Sequence, residues 1–189
     1  MKADPHPGAR DLSQLYAEVW ARLTRGVHDR HAPARHPTLA TVTPEGRPQA
    51  RTVVLRAADK AAGALDIYTD LHSSKIEDLR ITPFAAVHVW DASAHLQLRL
   101  EAHVTLLTGP EVTTIWASVP AASRLSYGST PAPGQRIAQA LDYKKVANPA
   151  SFVVLRLAVT KIEALHLGPN HRRAQFDRGD DWAGTWLAP

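Results

Sequence analysis

Apolar residues near the start of the chain recur with a helical period. Leu12, Leu15, Tyr16, Val19, Trp20 and Leu23 fall at i, i+3, i+4, i+7, i+8 and i+11, which places them all on one side of a helix. Asp11 stands where an N-cap belongs, and Gln14, three residues on, completes a capping-box pattern. Gly26 reads as the stop, so the pattern predicts a helix over 11–25. Residues 1–10 read as a loose lead, and "HDRHAPARHP" as a loop broken by Pro33 and Pro37.

The period then changes to two. "TLATV", the turn "TPEG" and "PQARTVVLRA" read as a hairpin, and "GALDIYT" as a third strand. Ser73 to Ile81 reads as a short helix ended by Pro83. "AAVHVWD" and "HLQLRLEAHVTLL" are two more strands. "GPEVTTIWASV" is a helix with Pro110 in its first turn, "ASRLSYGSTPAPGQ" a loop, and "QRIAQALDYKKV" a further helix. "SFVVLRLAVTKIEALHL" returns to strand, and the last residues form a closing hairpin that turns at "DRGDD". About seven strands joined mostly by short turns imply an antiparallel sheet. Closure into a barrel, complete or partial, removes its exposed edges. The expected class is therefore mainly β with helices (α+β). With no repeat, low-complexity tract or long linker, residues 1–189 read as one domain, its barrel starting at about residue 36.

Composition narrows the functions. Of 189 residues, 44% are hydrophobic, a globular rather than a disordered proportion. No apolar run reaches the ~18 residues of a spanning helix, and "MKADPHPGARDLSQ" lacks the apolar centre of a secretory signal. A cytoplasmic location, away from membranes, is the expectation. There is no cysteine, which excludes disulfides, thiolate metal sites and a thiol nucleophile. Lys and Arg total 22 against 18 Asp and Glu, a net +4 that suits an anionic partner. Basic residues never run more than two together, unlike a nucleic-acid arm. His28, His31 and His36 cluster in a proline-broken loop without cysteine, a poor zinc scaffold, so no metal is expected.

The stretch "YTDLHSSKIEDL" joins a strand end to a helix start. A helix N-terminus carries unpaired N–H groups and partial positive charge. Ser73 or Ser74 can cap it, and Lys75 adds a cation that opposes the helix dipole, an arrangement that an anion would relieve. A plain serine cap beside a solvated lysine has the same sequence. In "ARTVVLRA", alternation puts Arg51, Val53 and Leu55 on one face and Thr52, Val54 and Arg56 on the other, so two arginines bracket one strand from opposite sides. In "HLQLRLEA", Gln97 and Arg99 share a face; turned inward, they would be an amide and a guanidinium in a concave wall.

Together, "RTVVLR", "YTD", "SSK", "FAAVHVW" and "LQLRLEA" resemble, in order and spacing, the flavoprotein family of pyridoxamine 5'-phosphate oxidase. The resemblance runs from about His36 to the C-terminus. It implies an FMN-binding split barrel, a homodimer with FMN between subunits, and a small-molecule substrate, phosphorylated or not. Residue by residue, it makes Arg51 and Lys75 ligands of the FMN phosphate. Val54 and Leu55 fall on the strand beside the cofactor, Tyr68 and Thr69 at the strand end near the flavin, and Gln97 at the ring edge. Ser74 stands where the family has Arg, so one cation is missing. Arg173 matches a flavin-contacting arginine, and with His171 it is expected near the reacting face. Leu165 replaces a flavin-proximal tryptophan.

The substrate side departs further. Where the family holds its substrate phosphate with Lys, Tyr, Arg and Ser, this chain has Arg56, Ile115, Val119 and Ser123, and Pro169 replaces a further arginine. Arg124 and Arg172 are the residues placed to compensate. The resemblance thus implies an FMN-dependent oxidoreductase with an altered substrate site. The alternative is a protein of the same fold that holds flavin or haem without turnover.

Overall fold

The computed structural model describes residues 10–189; the lead read over 1–10 lies outside these except at Arg10. Helix α1 spans Leu12–His28. The Asp11 carboxylate accepts the Gln14 N–H at 2.8 Å, as a cap should. Leu15, Val19, Trp20 and Leu23 are buried against the end of the sheet. Gly26 does not stop this helix. A Cβ there would meet the Ala34 carbonyl carbon at 2.6 Å, so the glycine admits the next turn, Pro33–Arg35, at close range.

Nine antiparallel strands follow: β1 Thr38–Val42, β2 Pro48–Thr52, β3 Leu55–Asp59, β4 Ala64–Asp70, β5 Phe84–Asp91, β6 Leu96–Leu107, β7 Phe152–His166, β8 Arg172–Asp177 and β9 Thr185–Leu187. The helices are α2 Ser74–Ile81, α3 Thr113–Ser118 and α4 Ala121–Arg124, with a 3-10 turn at Gly109–Val112 leading into α3. Among the described residues, no helix is long and apolar enough to cross a membrane.

The strands line up as β2-β1-β5-β6-β7-β4-β3, with β8 on β7 and β9 on β8. The outermost two in that order, β2 and β3, are consecutive in the chain. What reads as a single strand, "PQARTVVLRA", breaks at Val53–Val54 and changes partner: β2 pairs with β1, and β3 with β4. The chain itself closes the sheet at this corner, leaving a split where no ladder runs. The break adds a strand to those read from the sequence, and β8 and β9 are the two arms of the expected closing hairpin, so nine strands stand where about seven were expected.

Alternation sets the core. Leu96, Leu98 and Leu100 of β6 point in, with Leu39, Leu65, Ile67, Leu157, Ile162 and Phe176. Fully burying each such side chain contributes about 1.5–3 kcal/mol. Gln97 and Arg99 therefore point out, not into a concave wall, because three leucines claim the other face. A second apolar cluster, Val112, Val119, Tyr127, Phe152 and Val154, joins α3 and the following loop to the start of β7.

The helix read at "QRIAQALDYKKV" does not form. Apart from one bridge, Thr130 with Lys144, that stretch is irregular and largely exposed, Leu141 at 81%. A helix this short is marginal without a surface to bury its stripe, and neither Ile137 nor Leu141 has found one.

Candidate functional site

The corner where β2 becomes β3 faces the end of β4, the start of α2 and the loop after α4. Together they enclose a cavity of about 350 Å³. Arg51, Val54 and Arg56 line it from the corner, Tyr68 and Thr69 from β4, and Lys75 from α2. Arg51 and Arg56 thus reach the same space. Strict alternation would have set them on opposite faces, but it does not carry across the break at Val53–Val54.

One end of the cavity is cationic. The Lys75 ammonium donates to Thr69 Oγ1 and to Ser73 Oγ, both at 2.9 Å. Burial first, and then the Arg51 charge, push the Lys75 pKa below the ordinary lysine value; Asp70 and Asp78 oppose them. Arg51 donates to Thr41 Oγ1 at 2.6 Å and lies 3.6 Å from the Asp78 carboxylate. Burial lowers its pKa as well, against Asp78. Two cations drawn from water and facing one cavity stabilise an anion placed between them.

Ser73 occupies the N-cap position of α2, but its hydroxyl donates to the Asp70 carbonyl oxygen at 2.8 Å and makes no capping bond to the helix. Ser74 is exposed on the first turn and does not line the cavity. Leu55 is fully buried in the barrel core.

Gln97, His171 and Arg173 lie elsewhere, on the outward face of β6 and at β8. Gln97 pairs in register with Trp90 and Leu165, and Leu165 with Arg173. Gln97 Oε1 is 3.4 Å from His88 Nε2. Glu163 holds Arg173 at 2.7 Å and Arg99 at 3.3 Å. His171 is exposed just before β8.

These features match known proteins. A sequence model described as pyridoxamine 5'-phosphate oxidase, FMN-binding domain, matches residues 17–108. The pyridoxine/pyridoxamine 5'-phosphate oxidase of Xanthomonas axonopodis pv. citri is 31% identical over 185 residues, covering 94% of this chain and 83% of that one. This chain belongs to the pyridoxine/pyridoxamine 5'-phosphate oxidase family. The namesake protein of a Cyanothece species is 31% identical over 167 residues, 80% of this chain and 78% of its own. A pyridoxamine 5'-phosphate oxidase-related FMN-binding protein from Nostoc punctiforme superposes with a TM-score of 0.75 at 26% identity, covering 100% of both chains. The fold is shared with PhzG from Burkholderia lata 383, a structure in complex with tetrahydrophenazine-1-carboxylic acid: TM-score 0.71, 20% identity, 100% of this chain and 98% of that one.

Within this family the chain's substitutions now have surroundings. Val119 is buried in the second apolar cluster, and Ile115 packs against it. Arg124 does not turn to the cavity: it donates to the carbonyls of Val119 and Ala117, each at 2.8 Å, and stands 5.3 Å from the Trp116 ring centre. Ser123, on α4, and Arg172, on β8, do not line the cavity.

Sequence reasoning missed Asp70, Ser126, Tyr127 and Pro133, which do. Asp70 is buried and accepts the Gly128 N–H at 2.6 Å and the His72 N–H at 2.8 Å, tying the strand end to the loop. An aspartate closing a strand just before a helix start was the one available signal. Tyr127 lies in a loop without periodicity, and nothing in its neighbours marks it.

Proposed function

We propose that this chain is an FMN-dependent oxidoreductase acting on a small molecule as a pair of identical subunits. The observation that carries the reading is the convergence of Arg51 and Lys75 on one end of a cavity, both depressed in pKa by burial. A phosphate there would restore to each cation the partner that burial has removed. Thr69 and Ser73, already hydrogen-bonded to Lys75, would orient it, and Val54 and Tyr68 would wall the flavin. FMN, when bound, supplies the two-electron redox chemistry; the protein's part is binding, orientation and shielding. Arg56 would face the substrate.

The pairing of subunits is what the resemblance implies, and the strand register is consistent with it. Thr69 pairs with Val153 and Gln97 with Leu165, twelve residues further along β7. That is roughly 40 Å of strand at about 3.3 Å per residue. Within one chain, a flavin held at the Arg51 end would lie far along the strand from the second cluster. Two copies related by a two-fold axis can bring the Arg51 end of one to the Gln97, His171 and Arg173 end of the other. The outward sheet face supports this. Val42, Phe84 and Trp90 are exposed on it, and a shallow apolar hollow of about 520 Å³ lies beside Phe84. An apolar patch of this kind marks an interaction surface.

The test is an absorption spectrum with light scattering on the purified protein. A two-banded flavin spectrum on a species of twice the chain mass is expected. A Soret band would replace this reading with haem binding, and a monomer carrying FMN would refute the shared site.

A further inference from the structure

Among the cations lining the cavity, Arg56 is the one without a carboxylate. Arg51 has Asp78, and Lys75 has the fields of Asp70 and Asp78. Among the described residues, no carboxylate pairs with Arg56, and its Nε is buried without a hydrogen-bond partner. Its guanidinium stands 5.8 Å from the centre of the Tyr68 ring. Its charge is close enough to the buried Tyr127 to draw down a phenol pKa that burial raises, and both side chains line the cavity. Arg35 is near enough for the two charges to repel, while its Nη1 donates to the carbonyls of Val27 and Leu55. A half-buried guanidinium with a second cation nearby and only aromatic rings and neutral hydroxyls lining the cavity around it is costly unless an anion arrives.

The charge of that anion follows from what else is within reach. Ile115 and Val119 offer no donor and belong to the apolar cluster. Arg124 is spent on carbonyls, and Ser123 does not line the cavity. Arg51 and Lys75 are tied around Thr41, Thr69 and Ser73 at the other end. Of the charged groups lining the cavity, Arg56 alone therefore faces a ligand at this end, with the neutral hydroxyls of Tyr127, Tyr68 and Ser126. A carboxylate matches them: two oxygens for the guanidinium fork and a hydroxyl, and a single charge. A phosphate monoester carries close to two negative charges above pH 7 and would keep one of them without a partner.

We propose that Arg56 and Tyr127 form a subsite for the carboxylate of a small substrate, and that this pair sets the substrate class of this chain. The proposal rests on the FMN reading above, with Arg51 and Lys75 given to the cofactor.

The experiment is calorimetric titration of the FMN-loaded protein at pH 8 with benzoate and with phenyl phosphate, which share a ring and differ in charge. Benzoate is expected to bind at least about tenfold more tightly. Tyr127→Phe keeps the ring in its cluster and removes one hydrogen bond to a charged group, so benzoate affinity should fall about tenfold. Arg56→Gln should lose most of the binding, and Arg56→Lys should recover part of it, since the charge returns without the fork. Circular dichroism establishes that each variant is folded. Phenyl phosphate binding as tightly as benzoate, or a benzoate affinity unmoved by Tyr127→Phe, overturns the proposal. A failure of the FMN reading shows separately, as a chain that takes up no flavin. Benzoate titration of that flavin-free chain against the same two positions then decides the subsite.

Discussion

Lys75→Met separates the role of this lysine in the site from any role in the fold. The substitution keeps the stem and removes the charge. In the flavin-free protein, two effects oppose each other. The ammonium's bonds to Thr69 and Ser73 are lost, at about 1 kcal/mol net each. The cost of holding a buried cation beside Arg51 is lost too. Stability should therefore change by less than about 1 kcal/mol, a Tm shift within roughly 2–4 °C for a chain of this size. In the FMN complex only the loss remains. A charge-assisted bond to phosphate, worth about 1.5–3 kcal/mol, disappears, and Kd should rise about tenfold to a hundredfold. Titration of FMN by fluorescence quenching gives Kd, and scanning calorimetry of the flavin-free protein gives Tm. A Kd that moves less than about threefold would refute the phosphate assignment. A Tm fall beyond about 8 °C, some 2 kcal/mol or more, would make Lys75 a strut of the fold instead.

The same lysine makes the stability of the flavin-free protein depend on pH. Its folded pKa lies below the unfolded value, so the unfolded chain holds more protons, and stability rises with pH through the window between the two. Wild type should gain stability relative to Lys75→Met as urea unfolding is repeated from pH 7 towards 10; a constant difference would contradict the direction of the shift. Gly26→Ala should destabilise the protein by about 1–3 kcal/mol, because the new Cβ meets Ala34 at 2.6 Å. Helix propensity alone predicts a gain of about 1 kcal/mol, so the sign of the Tm change decides between crowding and propensity. Steady-state oxidation of pyridoxine and pyridoxamine 5'-phosphate by the FMN-loaded protein should show kcat/KM below about 10⁴ M⁻¹s⁻¹. A higher value would mean that other residues hold the substrate phosphate.

Much of the architecture was legible because short-range patterning dictated it. The stripe from Leu12 to Leu23 could only be a helix lying on something apolar, and the alternation of "HLQLRLEA" could only be a strand with one buried face. The direction of the β6 faces was legible in principle: Leu96, Leu98 and Leu100 outweigh Gln97 and Arg99, so parity sends the polar pair outward. The helix read at "QRIAQALDYKKV" shows the opposite limit. Its residues have the spacing, but a helix of that length needs a surface, and whether one exists is not a local property.

By itself, the sequence determined that Tyr68, Thr69 and Lys75 would stand at a strand end and a helix start, since turn and helix signals position them within a few residues of each other, and only the resemblance added Arg51 to them. It also carried the family resemblance that the order and spacing of its motifs make specific. Only the tertiary structure decided that "ARTVVLRA" breaks at Val53–Val54 and changes partner, because hydrogen-bonding to β1 and then to β4 is a choice made between distant strands. That break brings Arg51 and Arg56 into one cavity, where strict alternation would have parted them. Only the fold, likewise, brought Tyr127 beside Arg56, some seventy residues away in the chain, and set Gln97 and Arg173 at the far end of β7. The physical reason is the range of the forces. Side-chain periodicity and capping act over a few residues, whereas a cavity is made by segments that meet only when the sheet closes and its core is buried.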